Sequence, residues 1–222
     1  MSELHYPVLY SLQRCPYAMR ARLSLLLANQ TVLLRNVKLT NKPLEMLAVS
    51  PKGTVPVLYF PHVNKVIDQS LAIMYWALSR NDPHNLLRVN EPDVSNEIRQ
   101  LIQQHDDVFI PLLEQYRAAA RYHDDKEANA RQACESFIAI LEAKLTYSTF
   151  LMGDTPSLVD YAMLPFMRQF SKVDRKWFQH ASYPKFQQWL ITHYNNPIYA
   201  KAMRPYPEWL VTRENVIFNR ES

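Results

Sequence analysis

The sequence predicts a two-domain chain, α+β first and all-α second: a mixed sheet with helices, then helices alone. Three observations carry this expectation. Strand and helix patterns alternate through the first eighty residues. Breakers cluster at 81–92. Beyond them only helical periodicity remains.

Tyr6 to Tyr10 is short, aromatic and β-branched, which reads as a strand. Pro16 to Asn29 carries Met19, Leu23, Leu26 and Leu27 at helical spacing. Val32 to Val37 reads as a second strand and Pro43 to Val49 as a short helix. Val55 to Tyr59 and Val66 to Ile67 complete a four-stranded sheet. Ser70 to Ser79 then places Ala72, Ile73, Trp76 and Ala77 on one side of a helix. The turn signals Asn81-Asp82-Pro83 and Asn90-Glu91-Pro92 mark a linker. The expected division is residues 1–80, a linker at 81–92, and a helical domain at 93–222. In that domain Val94 to Tyr122 and Asp125 to Leu145 read as long helices. Ser157 to Phe170, Tyr183 to Asn195 and Pro197 to Met203 follow.

Composition excludes several function classes. Only two glycines occur, Gly53 and Gly153, so no glycine-rich phosphate loop or dinucleotide fingerprint is possible. The net charge is +4, concentrated before residue 53, where the cations stand singly and never form a run. That suits a small anionic ligand and argues against nucleic acid. No segment approaches the roughly 20 apolar residues a bilayer span needs, and Met1 to Tyr10 has no secretory-signal pattern. A cytoplasmic protein with no membrane association is expected. Two cysteines, Cys15 and Cys134, cannot build a disulfide framework, and no Cys/His cluster has metal-ligand spacing. No metal site is expected, and Asp106-Asp107 reads as a solvated face.

Cys15 is the candidate nucleophile. It follows the first strand and precedes Pro16, a residue suited to the first helical position. At the N-cap its sulfur would face unpaired N–H groups and the positive end of the helix dipole. Both favour the thiolate, so a lowered pKa is expected, with Arg14 and Arg20 adding to the field. Ala18 stands where a Cys-x-x-Cys pair would have its second thiol, so a resolving thiol must come from outside. Cys134, in mid-helix, reads as a core residue.

With Cys15-Pro16-Tyr17, Val55-Pro56 and Gln69-Ser70 in this order, the chain resembles the cytosolic glutathione transferases. The likeness is closest to the omega-like, cysteine-type branch. Gln69 stands where many omega-type members have Glu, and Tyr17 where Phe is common. The resemblance implies a thioredoxin-like N-terminal domain and a helical C-terminal domain. It implies that Cys15 faces the glutathione sulfur, and that Val55, before a cis Pro56, pairs its backbone with the cysteinyl part of glutathione. Gln69-Ser70 would be the family's glutathione-binding pair, with Ser70 holding the γ-glutamyl carboxylate at a helix N-terminus, and Lys42 would approach the glycyl carboxylate. Glutathione would be a co-substrate with no permanently bound cofactor. The second substrate would be a small disulfide or electrophile, and the protein a homodimer. A cysteine-driven thiol transferase is the leading expectation. A conjugating or dehalogenase-like enzyme and a non-catalytic, partner-binding regulator are the alternatives.

Ser157-Leu158-Val159-Asp160 has the form of a capping box, read as a folding signal with a buried Asp160. Phe109, Tyr116 and Trp177 are aromatic candidates for a second-substrate wall, with core packing the commoner role of such residues.

Overall fold

The computed structural model describes residues 6–219, which form two compact units. One runs to His84 and resumes at Pro197; the other is Asn85–Asn196.

The first unit is built on a five-stranded sheet in the order β4-β3-β1-β2-β5. Strands β1 (Val8–Ser11) and β2 (Val32–Asn36) are parallel, with Val8 opposite Leu33. Helix α1 (Pro16–Leu27) makes the crossover between them, as parallel strands require. After α2 (Leu44–Val49), β3 (Val57–Phe60) runs antiparallel to β1. It then pairs with β4 (Lys65–Ile67) across a single 3-10 turn at Pro61–Val63. Helix α3 (Ser70–Arg80) packs on α1. Leu9, Leu23, Leu25, Val57, Leu58, Ile73 and Ala77 are buried in this unit.

The fifth strand corrects the four-stranded expectation. Residues 197–219, which the sequence places in the helical domain, pack with the first unit. Helix α10 (Pro197–Ala202) lies on α1, α11 (Trp209–Thr212) follows, and β5 (Val216–Phe218) pairs antiparallel with β2, Phe218 opposite Val32. Several contacts fix this segment. The Arg35 guanidinium lies 4.1 Å over the Trp209 ring and donates to the Tyr10 hydroxyl at 2.8 Å. Asn36 Nδ2 donates to the Tyr206 carbonyl at 2.8 Å, and Lys38 pairs with Glu208 at 2.6 Å. Such partners lie far apart in sequence, so local pattern gives no hint of them.

The second unit is helical: α4 (Pro92–Gln104), α5 (Ile110–Tyr122), α6 (Glu127–Tyr147), α7 (Leu158–Val173), α8 (Arg175–His180) and α9 (Pro184–Tyr194). The single helix expected over Val94 to Tyr122 is interrupted by a π-helical turn at His105–Phe109. Pro111 stands at the start of α5. Its ring removes one N–H and crowds the preceding carbonyls, and a π turn relieves that conflict. The short α8 was not expected; Asp174 caps it by accepting the Trp177 N–H at 2.9 Å.

His105, Phe109, Phe137, Phe166 and Phe170 form an aromatic cluster in this unit. Phe109 and Tyr116 are fully buried, and the rings of Trp177 and Phe170 meet in a T-shaped contact, so all three pack within the unit. The capping box is present, with Asp160 completely buried. Its carboxylate accepts from Ser157 N–H at 2.8 Å and Ser157 Oγ at 3.0 Å. It also accepts from Leu151 N–H at 3.0 Å and Trp189 Nε1 at 2.9 Å. Of the pair Asp106-Asp107, Asp107 is exposed, and Asp106 is part-exposed and lies 2.6 Å from His105 Nδ1. Among the described residues no helix is long and apolar enough to cross a membrane, and no three potential ligands gather around a metal position.

Candidate active site around Cys15

Strand β1 ends at Ser11, and four residues later Cys15 caps α1 with extended backbone angles, φ −75° and ψ 125°. Pro16 opens the helix, and the Cys15 carbonyl accepts its first bond from Met19 N–H at 2.9 Å. Thus the sequence fixes the sulfur at the positive end of α1. Across from it, the peptide between Val55 and Pro56 is cis, as the resemblance implied. The Cys15 thiol donates to the Val55 carbonyl over 3.9 Å, a long sulfur contact.

A cavity of about 400 Å³ opens here, lined by Cys15, Val55, Pro56, Gln69 and Ser70 together with Tyr17, Lys52 and Asp68. Five of the six residues expected at the site therefore meet around one space. Lys42 does not line it: its side chain crosses Gly53, where an added Cβ would lie 3.0 Å from Lys42 Nζ. The adjacent Lys52 lines the cavity instead. Gln69 caps α3, its carbonyl accepting from Ile73 N–H at 3.0 Å, and Ser70 is the buried first residue of the helix. Free N–H groups at such an end attract a carboxylate.

Sequence reasoning missed Asp68 and Lys52. Asp68 accepts from Ser50 Oγ at 3.2 Å, a bond across the fold from the C-cap of α2. Its place one residue before Gln69-Ser70 was the available signal.

The expected low pKa of Cys15 is not what the surroundings give. Burial pushes the thiol above its ordinary value, and this outweighs the opposing pull of the Ala18 and Tyr17 N–H groups and of Arg22. The helix end acts in the expected direction, but a half-buried sulfur loses more solvation than the sequence alone discloses. Arg22, in place of Arg14 or Arg20, is the cation that acts on it. Cys134 is fully buried and pushed up to about 12, as suits a core residue.

A sheet of this order, a cis-proline opposite an N-capping cysteine, and a helical second unit define a class of fold. Models of the glutathione S-transferase N-terminal domain and of the glutathione S-transferase C-terminal domain match residues 9–85 and 104–197. The chain belongs to the glutathione S-transferase superfamily. It is 27% identical over 190 residues to glutathione S-transferase omega-1 of Mus musculus, covering 85% of this chain and 77% of that one. It is 24% identical over 163 residues to elongation factor 1-gamma of Homo sapiens, covering 71% of this chain but only 36% of that protein. A glutathione transferase family member from Pseudomonas fluorescens, solved with two glutathione molecules bound, superposes with a TM-score of 0.78 at 18% identity. That match spans 90% of this chain and 93% of the other, and at this identity it speaks to the fold.

Proposed function

We propose that this protein is a glutathione-dependent thiol transferase of omega-like, cysteine type, with Cys15 as nucleophile. The observation that carries the reading is a cysteine at a helix N-terminus inside the cavity formed by Val55, Pro56, Gln69 and Ser70. The Cys15 thiolate attacks the glutathione sulfur of a mixed disulfide. A Cys15–glutathione disulfide forms, the substrate thiolate leaves, and it takes up a proton from water. A second glutathione thiolate then attacks the glutathione sulfur of that adduct, releasing oxidised glutathione and the Cys15 thiolate. Ala18, where a second thiol would stand, is consistent with the need for an external one.

In this reading Val55 pairs its backbone with the cysteinyl unit of glutathione. Ser70 and the start of α3 hold one carboxylate, and Gln69 lies beside them. Lys52 takes the glycyl-carboxylate role that the resemblance gave to Lys42. Glutathione is a co-substrate, and mixed disulfides, glutathionyl adducts or dehydroascorbate are the second-substrate classes. A cytoplasmic homodimer is part of the same proposal.

A second reading rests on the raised Cys15 pKa. A neutral thiol donates a hydrogen bond, and such a donor could hold the thiolate of bound glutathione for conjugation. Likeness to elongation factor 1-gamma keeps a partner-binding role as a further alternative. Glutathione-dependent reduction of a small mixed disulfide separates these. Activity lost in Cys15→Ser supports thiol transfer. Undiminished turnover in the variant points to conjugation, and no glutathione binding by calorimetry points to the partner-binding role.

A further inference from the structure

Arg22 lies on α1 and is 2% exposed. Buried arginines are usually paired with a carboxylate, because an uncompensated charge in the interior is costly. The acceptors recorded for Arg22 are all neutral. Nε donates to the Ala202 carbonyl at 2.7 Å. One terminal nitrogen donates to Ser11 Oγ at 2.5 Å and to the Leu12 carbonyl at 3.2 Å, and the other to the Gln13 carbonyl at 2.6 Å. Three of these acceptors belong to the segment that leads directly into Cys15, and the fourth ends α10. Gln13 adds a parallel tie, its Nε2 donating to the Met203 carbonyl at 3.2 Å.

This hydrogen bonding keeps the charge in place. Burial lowers the Arg22 pKa only to about 10, so the guanidinium is protonated at neutral pH. The ionisable groups that act on it are Cys15 and Tyr206; burial raises the pKa of both, and the Arg22 charge opposes that rise. Of the two, Cys15 lies in the cavity, where Tyr17, Lys52 and Asp68 are the other ionisable lining groups.

We propose that Arg22 is a positioning residue of the Cys15 centre. Its buried guanidinium clamps residues 11–13 to the C-terminal segment at Ala202 and supplies the positive charge that a Cys15 thiolate faces from inside the fold. The proposal rests on the reading of Cys15 as the nucleophile. It makes the C-terminal segment part of the site's architecture, because one side chain holds both.

The test is the pH dependence of Cys15 alkylation by iodoacetamide, read by mass spectrometry in wild type, Arg22→Gln and Arg22→Lys, with folding checked by circular dichroism. Arg22→Gln should shift the profile upward by about one pH unit and slow alkylation about tenfold at neutral pH. Arg22→Lys keeps the charge and should stay within about half a unit of wild type, while loss of the fork-shaped clamp exposes residues 203–219 to faster proteolysis. A folded Arg22→Gln with an unshifted profile overturns the proposal, as does an Arg22→Lys profile displaced as far as that of Arg22→Gln. If Arg22→Gln does not fold, Arg22→Lys carries the test. A full-unit displacement, or unaltered proteolysis, overturns the proposal, and failure of both variants to fold assigns Arg22 to the fold alone. Wild-type turnover that survives Cys15→Ser would instead sink the functional reading, and the alkylation profiles would still report on Arg22 independently.

Discussion

Replacing Asp160 with alanine should be the most damaging single change in the helical unit. The carboxylate is fully buried and accepts four hydrogen bonds, from Ser157 N–H and Oγ, Leu151 N–H and Trp189 Nε1. Hydrogen bonds to a charged acceptor contribute about 1.5–3 kcal/mol each, and every buried donor left bare costs about 1–3 kcal/mol. Removing the carboxylate also relieves its own desolvation, and water can reach part of the vacated space. The net loss should therefore be about 4 kcal/mol, well short of the sum of four bonds. For a chain of this size each kcal/mol lowers Tm by about 2–4 °C, so the melting point should fall by about 8–16 °C. Asp160→Asn retains an acceptor but turns an amide N–H₂ toward some of the same donors, and should fall between. Thermal unfolding followed by far-UV circular dichroism measures both. A loss below about 1 kcal/mol in Asp160→Ala would refute the reasoning, because it would mean that the four donors are satisfied without the carboxylate.

Two further outcomes follow from the ionisable groups. Under native conditions one thiol, Cys15, should react with a thiol reagent, at a rate that still climbs above the pH expected for an ordinary cysteine. Cys134, buried and pushed up to about 12, should react only after denaturation. Equal reactivity of both thiols in the folded protein would contradict the burial of Cys134. His193 is buried among Phe150, Tyr161 and Trp189, and burial lowers its pKa against the opposing charge of Asp160. The unfolded chain takes up this proton near pH ~6.5 and the folded chain only at lower pH. Its contribution to stability is therefore present above that value and lost as pH falls through the window. Urea midpoints between pH ~7.5 and ~5.5 should drop more in wild type than in His193→Gln; equal drops would remove His193 as the cause.

Much of the site was legible because it is local in sequence. Cys15-Pro16 announces a helix start and Gln69-Ser70 another, and outside the site Ser157 to Asp160 announces the capping box in the same way; each depends on neighbours only a few residues away. The lower pKa expected for Cys15 failed for the opposite reason. The helix end was visible, but the loss of solvent around the sulfur depends on what packs over it. Lys42 and Lys52 show the same limit: both lie in the basic first segment, and the path of the chain around Gly53 decides which one lines the cavity.

By itself, then, the sequence determined the alternation of strands and helices, the change to helices alone, and the caps that place Cys15 and Ser70, because these depend on propensities and bonds within one or two turns. The tertiary structure decided the rest. It brought residues 197–219 back to the first unit, added β5 to the edge of β2, and put Arg22 between Ala202 and the segment before Cys15. These contacts join residues as many as 186 positions apart, Val32 and Phe218. A three-residue strand and a buried arginine carry no signature of such partners until the chain has closed around them.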